Sequence, residues 1–189
     1  MVVQQQYITA DRFLEMVGQP QYQDRVLELV EGAIVEMSKP TWKHGIITMR
    51  LAVKIANHVD ANELGVVTAA DTGFILERNP HGRDTVRGLD IAFVRKSRTL
   101  DPPEYAWYEM GPDLAAEVIS PNNRADDIHT KVTQLLNAGT RLVWVVYPEN
   151  RSVVAHTSSG AKTLGEDETL SGGDVLPGFE LRVGDIFPS

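Results

Sequence analysis

PDLAAEVISPNNRADDIHTKVTQLLNAGTRLVWVVYP, residues 112–148, reads as strand, turn, helix and strand, and that order decides the fold class. Leu114, Ala115, Ala116, Val118 and Ile119 make an apolar run that holds one carboxylate, Glu117. Pro121, Asn122 and Asn123 supply a turn, and acids at Asp126 and Asp127 suit the N-terminus of the helix expected over residues 125–138. Gly139 is placed to stop that helix, and residues 141–147 form a second apolar strand. Two apolar strands joined through a helix predict a right-handed crossover unit. The chain is therefore expected to be a mixed α/β domain, with helices flanking a central sheet.

Working outward, Thr9 is a candidate N-cap for a short opening helix ending near Val17. VLELVEGAIVEM, residues 26–37, contains two β-rich runs broken at Glu31 and Gly32, the pattern of a hairpin. Pro40 ends the second run. Ile47, Leu51, Ile55 and Val59 then recur every fourth residue, as on the buried stripe of a helix over residues 41–61. Strands are expected over residues 66–69, 73–76 and 86–94, an irregular connection over 101–111, and further short strands from residue 153 to the end.

At 189 residues one domain spanning 1–189 is expected, with no internal repeat or linker. There is no cysteine, so disulfides and thiolate metal sites are excluded. No apolar stretch reaches membrane-spanning length and the first residues lack a signal-like apolar core, which points to a cytoplasmic protein without a membrane partner. The net charge of −8 runs against nucleic-acid binding unless a local basic patch exists. Arg78, Arg83, Arg87, Arg95, Lys96 and Arg98 are the candidate patch; the competing reading is that they are solvated loop and strand-end charges.

Glu117 has a counterpart upstream in LDIAFV, where Asp90 is the lone acid of an apolar run. A carboxylate inside such a strand is costly unless something neutralises it. If the two strands are neighbours, Asp90, Glu117 and a backbone carbonyl, that of Val118, can hold a hard cation such as Mg²⁺, with Mn²⁺ as a substitute. Lys131, on the helix after Glu117, could then reach a scissile phosphate. The competing reading makes both acids solvent-facing strand residues, and Asp127 with Lys131 an ordinary i,i+4 helix pair. Neither a nucleotide-binding glycine loop nor a serine-hydrolase elbow is present around Ser120. Trp42, Trp107 and Trp144 could stack on bases, although Trp144 lies in an apolar strand and reads as core.

Five fragments in one order carry a family resemblance: residues 26–37, PTWKHGIITMRL (40–51), EVISP (117–121) with Arg124, Asp127 and Lys131 after it, residues 138–148, and DVLPGFELRVGDIF (174–187). Together they resemble the bacterial Uma family of restriction endonucleases, within the PD-(D/E)XK nuclease-like superfamily. The resemblance implies a restriction-endonuclease-like mixed sheet with additional β-hairpins. It also implies a Mg²⁺-dependent DNA endonuclease in which Asp90 and Glu117 are the acids and Glu28 is a further acid from the opening hairpin. Ile119 stands where the superfamily's strand lysine would be, and Lys131 takes its place. The family often has histidine at the position of His44, for which capping, surface and site roles stay open. Leu89, Leu135 and Tyr147 depart from the family's usual proline, tyrosine and aspartate without removing a proposed ligand. Cutting a duplex needs two sites, so a two-fold homodimer is expected. The alternative is a non-catalytic nuclease-fold protein that binds nucleic acid or a protein partner.

Overall fold

A computed structural model describes residues 7–99 and 106–188. Part of the connection expected over residues 101–111 therefore lies outside the described residues. The elements run α1 (Ala10–Val17), β1 (Val26–Val30), β2 (Ala33–Met37), α2 (Trp42–Ala61), β3 (Gly65–Glu77) and β4 (Thr85–Arg95). Then follow β5 (Leu114–Val118), α3 (Ala125–Asn137), β6 (Leu142–Tyr147), β7 (Ser152–Thr157), β8 (Gly160–Leu164), β9 (Thr169–Ser171) and β10 (Glu180–Arg182). The main sheet has the order β2-β1-β4-β5-β6-β7-β8, with β3 also paired to β4, while β9 and β10 form a separate small sheet.

Local chemistry explains most boundaries. Thr9 and Thr41 cap α1 and α2, their hydroxyls accepting from the N–H groups of Arg12 and His44 at 3.3 Å. The β1–β2 turn puts Glu31 and Gly32 at φ 50° and 78°, the left-handed pair that a tight hairpin demands. β5 and β6 are parallel and joined by α3, as the crossover pattern predicts. One difference concerns β3. The two strands expected over residues 66–69 and 73–76 are one continuous strand, interrupted by a bulge at Ala70 and Asp71, both with positive φ. Pairing along β4 on both sides of the bulge keeps the strand whole.

The two long helices cover opposite faces of the sheet. Ile47, Leu51, Ile55 and Val59 of α2 pack with Ile91, Phe93, Leu114, Ala116 and Trp144, and the chain from Leu170 to Phe187 closes the same cluster. Val132 and Leu135 of α3 pack with Ala92, Ala115, Val143 and Val145 on the other side. Each face therefore excludes water, and a polar group between them must find a partner inside the protein. Among the described residues no helix is long and apolar enough to cross a membrane.

β4 sets up the site. Its antiparallel partner β3 runs along one edge from Thr85 to Arg95. β1 and β5 share the other edge: β1 pairs only at Val86, and β5 only from Ile91 to Phe93. Between these contacts lies Arg87-Gly88-Leu89-Asp90, with no strand on that edge. Its backbone groups need partners from elsewhere, and side chains supply them.

Candidate active site

Gly88 is the centre of the gap. Its N–H donates to Glu28 Oε1 at 3.1 Å, and its carbonyl accepts from Lys131 Nζ at 2.7 Å. Across the gap, the N–H of Val118 donates to Asp90 Oδ2 at 2.8 Å. Side chains thus replace a missing stretch of ladder, and three acids and a lysine are drawn to one place.

The structure brings Glu28, Asp90, Glu117 and Lys131 together around one cleft. Asp90 and Glu117 lie on adjacent strands, just past the last paired residues Ile91 and Ala116. Lys131 Nζ donates to Glu117 Oε2 at 2.7 Å and lies 3.1 Å from Glu28 Oε1. With the Gly88 carbonyl, these acceptors use all three of its N–H bonds. Asp127 is not among its partners, so the simple helix pair with Asp127 is replaced by contacts to β1, β4 and β5. Glu28 is buried and also accepts from Arg87 Nη1 at 2.7 Å, while Gln134 Oε1 accepts from Arg87 Nε and Nη2. Val118 enters the site through its N–H.

Burial and charge pull these groups apart in acidity. Burial pushes Glu117 up, more than the adjacent Lys131 pulls it down, and Asp90 adds to the rise; the carboxyl stands at about 8. Burial also works against Glu28, but the Lys131 and Arg87 cations outweigh it and hold this carboxyl below its ordinary value. Burial opposes the charge on Lys131, yet Glu117 and Glu28 keep its pKa above that of a free lysine. The cluster thus contains a persistent cation, one ionised acid and one acid that is easily protonated.

Glu117 Oε1 is buried and accepts no hydrogen bond, alone among the carboxylate oxygens of the described residues. A bare anionic oxygen inside a protein is expensive unless a cation or proton can reach it. Glu117 lines a cleft of about 610 Å³ together with Glu28, His44, Asp71, Asp90 and Lys131. A hard divalent cation fits this donor set. Glu117 Oε1 is free, Asp90 keeps one oxygen outside the Val118 and His44 contacts, and Mg²⁺ retains several waters. Among the described residues no three His, Asp or Glu side chains are grouped to hold a metal by themselves, so waters would complete any such shell.

Two more residues join the site: His44, whose role the sequence left open, and Asp71, which it did not single out. His44 Nε2 lies 3.0 Å from Asp90 Oδ2, because α2 begins at the cleft and its first turn points the imidazole inward. Burial lowers the histidine's pKa but Asp90 more than compensates, so it is raised. The sequence signal was a histidine at the start of the long helix, where the resembling family often has one; what it touched was invisible. Asp71 sits at the exposed mouth, carried there by the β3 bulge that sets Ala70 and Asp71 against β4. A Cβ on Gly88 would come within 3.2 Å of the Asp71 carbonyl, so the glycine gives the bulge room. Nothing in local sequence marks such a bulge, which is formed by pairing on either side of it.

The proposed basic patch does not form. Arg78 bonds Asp11 and Glu109, Arg95 and Arg98 lie 3.0 Å from Asp113, Lys96 lies 3.5 Å from Glu63, and Arg87 is buried against Glu28. Arg83 packs over the ring of Tyr7. These cations balance nearby acids instead of presenting one free face. Trp144 is fully buried and Trp107 packs against Phe13 with ring centroids 5.2 Å apart, leaving Trp42 as the exposed tryptophan.

Comparison with known proteins identifies the family and agrees with the fold. A family profile described as Uma2, "Putative restriction endonuclease", matches residues 10–184. The chain is similar to a crystal structure titled as a "putative nuclease belonging to DUF820" from Anabaena variabilis ATCC 29413. The two share 19% identity with a TM-score of 0.80 over 95% of this chain and 97% of the other, a likeness of fold. No curated protein matches.

Proposed function

This chain belongs to the Uma2 family of restriction endonucleases, and we propose that it is a metal-dependent DNA endonuclease that hydrolyses phosphodiester bonds. The observation that supports this most directly is the bare, buried Oε1 of Glu117, a residue that lines the cleft with Asp90 and whose other oxygen accepts from Lys131. A structural carboxylate would have both oxygens satisfied.

In this reading Asp90 and Glu117 hold Mg²⁺, or Mn²⁺ in its place, as in the PD-(D/E)XK nucleases. When bound, such a cation supplies an acidified water and stabilises charge on a phosphate oxygen. The chain's own residues do the rest. His44 and the Val118 N–H fix the Asp90 carboxylate by occupying Oδ2. Lys131 orients Glu117 and places a positive charge where negative charge builds on the phosphate. Because its three N–H bonds are already used, a phosphate oxygen must displace one acceptor, and the Glu28 contact at 3.1 Å is the longest. Glu28 is thus a positioning residue: braced by Arg87, it holds Lys131 until substrate arrives.

One observation favours a non-catalytic nuclease-fold protein instead. The cations over residues 78–98 are largely spent on local acids, which leaves little free charge to grip a phosphate backbone. The test is nicking of plasmid and single-stranded DNA with and without Mg²⁺, by wild type, Glu117→Gln and Lys131→Ala. The endonuclease reading expects metal-dependent nicking by wild type alone. Absence of both cleavage and DNA binding by wild type, across metals and at low salt, would establish the non-catalytic reading.

A further inference from the structure

The β1–β2 hairpin is apolar on both faces, and only one of them is packed. Leu27, Leu29 and Ile34 join the cluster around Phe13. The other face carries Val26, Glu28 and Val30 of β1, with Met37 opposite Val26 and Val35 opposite Glu28. Among the described residues, none of the four apolar side chains on this face belongs to a core cluster. Val35 is 38% exposed, and Val26, Val30 and Met37 are half-buried. An antiparallel sheet ordinarily turns polar residues to the side that it leaves uncovered.

Glu28 fixes where this face looks. Its carboxylate meets Lys131 of α3 and the Gly88 N–H, so its neighbours along the strand turn toward α3 as well. Val26, Val30, Val35 and Met37 all line the cleft that Asp90, Glu117 and Lys131 line. One cavity of about 610 Å³ therefore has a charged end and an apolar wall. Its volume falls within the about 300–1,000 Å³ of sites that take small organic groups. A phosphate gains nothing from an apolar wall, whereas the flat face of a nucleobase does.

The charges around the cleft point the same way. Each lysine and arginine that lines it already meets an acid: Arg25 with Glu36, Arg87 with Glu28, and Lys131 with Glu117. A protein that grips duplex DNA does so largely through phosphate contacts, and the faces of paired bases are hidden in the stack. In a single strand those faces are accessible, and side chains can stack on them.

We propose that the hairpin wall is a nucleobase subsite and that the substrate is unpaired DNA. A base lies against Val35 and Met37 while an adjoining phosphate reaches Lys131 and the acids. This rests on the endonuclease reading and adds the class of substrate to it. Asp127 and Thr130 of α3 line the same cleft and bring an acceptor and a hydroxyl for the edge of the base. A duplex could fill the subsite only by flipping a base out, at the cost of its pairing and stacking.

Fluorescence anisotropy of a short labelled DNA strand, with Ca²⁺ in place of Mg²⁺, reads binding apart from cleavage. Wild type is expected to bind the single strand more tightly than the same strand in a duplex, and more tightly than a strand of abasic units. Val35→Asn combined with Met37→Gln is a neutral change on an edge strand. It should weaken single-strand binding about fivefold or more, leave the abasic strand as weak as before, and keep the circular dichroism. The comparison of the three ligands on wild type stands whether or not that variant folds. The proposal is overturned if the duplex or the abasic strand binds wild type as tightly as the single strand, or if none of the three binds. It is equally overturned if the folded variant binds the single strand as well as wild type. Mg²⁺-dependent cleavage of the single strand, measured alongside, keeps the two readings apart. Cleavage without a base preference removes the subsite and leaves the endonuclease; base preference without cleavage does the opposite.

Discussion

Asp113 immediately precedes the five-residue strand β5 and Glu117 is its fourth residue; both carboxylates are in largely buried positions, and they are treated in opposite ways. Asp113 accepts the N–H of Arg95 on Oδ2 at 2.9 Å, while Arg95 Nε and Arg98 Nη1 lie 3.0 Å from Oδ1. Both its oxygens are engaged, and its own backbone bonds Phe93 and Arg141. Glu117 has Lys131 on one oxygen and nothing on the other. A saturated buried carboxylate braces a fold; a half-bare one keeps a cost in place that a ligand or a proton can relieve. The neighbouring ladder makes the difference. Asp113 precedes the paired part of β5 and ties it to β4, whereas Glu117 lies where β4 and β5 have stopped pairing.

The sharpest way to break this contrast is Glu117→Gln. It keeps the shape and removes a charge worth several kcal/mol to a bound cation, so cleavage should fall on the order of a thousandfold, with circular dichroism unchanged. Comparable nicking by wild type and variant would remove Glu117 from the chemistry. Asp113→Ala should do the reverse. It strands the Arg95 and Arg98 charges, which are about one-third exposed, and so should cost about 2 kcal/mol in denaturant unfolding. The cleavage rate per folded molecule should hold. If that rate collapses as well, the two carboxylates are not functionally separate.

His44→Ala tests the support of Asp90. Loss of an outer hydrogen bond to a metal-binding group typically lowers affinity or activity about 10–100-fold, here measured as the Mg²⁺ concentration needed for half-maximal nicking. An unchanged requirement would leave His44 only its place in the helix.

The smallest effect is the pH dependence of metal-free stability, which separates two acids of one cluster. The folded pKa of Glu117, about 8, lies above the ordinary 4.5. Its favourable contribution is complete below pH 4.5 and is lost as pH rises through 8. Glu28 is depressed, so its contribution is present above 4.5 and is lost as pH falls through its folded value. Melting temperature of Glu117→Gln relative to wild type should therefore increase from pH 5 to pH 9. A flat difference would mean that Glu117 is ionised throughout.

Much of this architecture could be read before any coordinates. The capped starts of α1 and α2, the Glu31-Gly32 turn, the stripe from Ile47 to Val59 and the β5-α3-β6 crossover all depend on interactions within a few residues or on one periodic face. Asp90 and Glu117 were conspicuous because charges in apolar runs are anomalies at the level of sequence; Lys131 was picked out by its place on the helix after Glu117 and by the family resemblance. Glu28 stood out through likeness to a family, since an acid in a hairpin is not unusual in itself. Arg87 was misjudged as part of a basic patch because sequence shows a cation and hides its partner. Asp71 depended on a bulge, and a bulge is a property of two strands.

What the sequence by itself determined was therefore the set of elements and the presence of charges that an apolar strand cannot leave alone. Hydrophobic period and capping are local, and they act before the chain closes. Which charges meet was decided by tertiary structure alone. β1 and β5 share one edge of β4 and leave Gly88 without a strand partner on that edge, so Glu28 and Lys131 bond its backbone, and Glu117 is drawn to that same lysine. A gap in a ladder exists only once three distant strands have been assembled, and the site is made of what fills it.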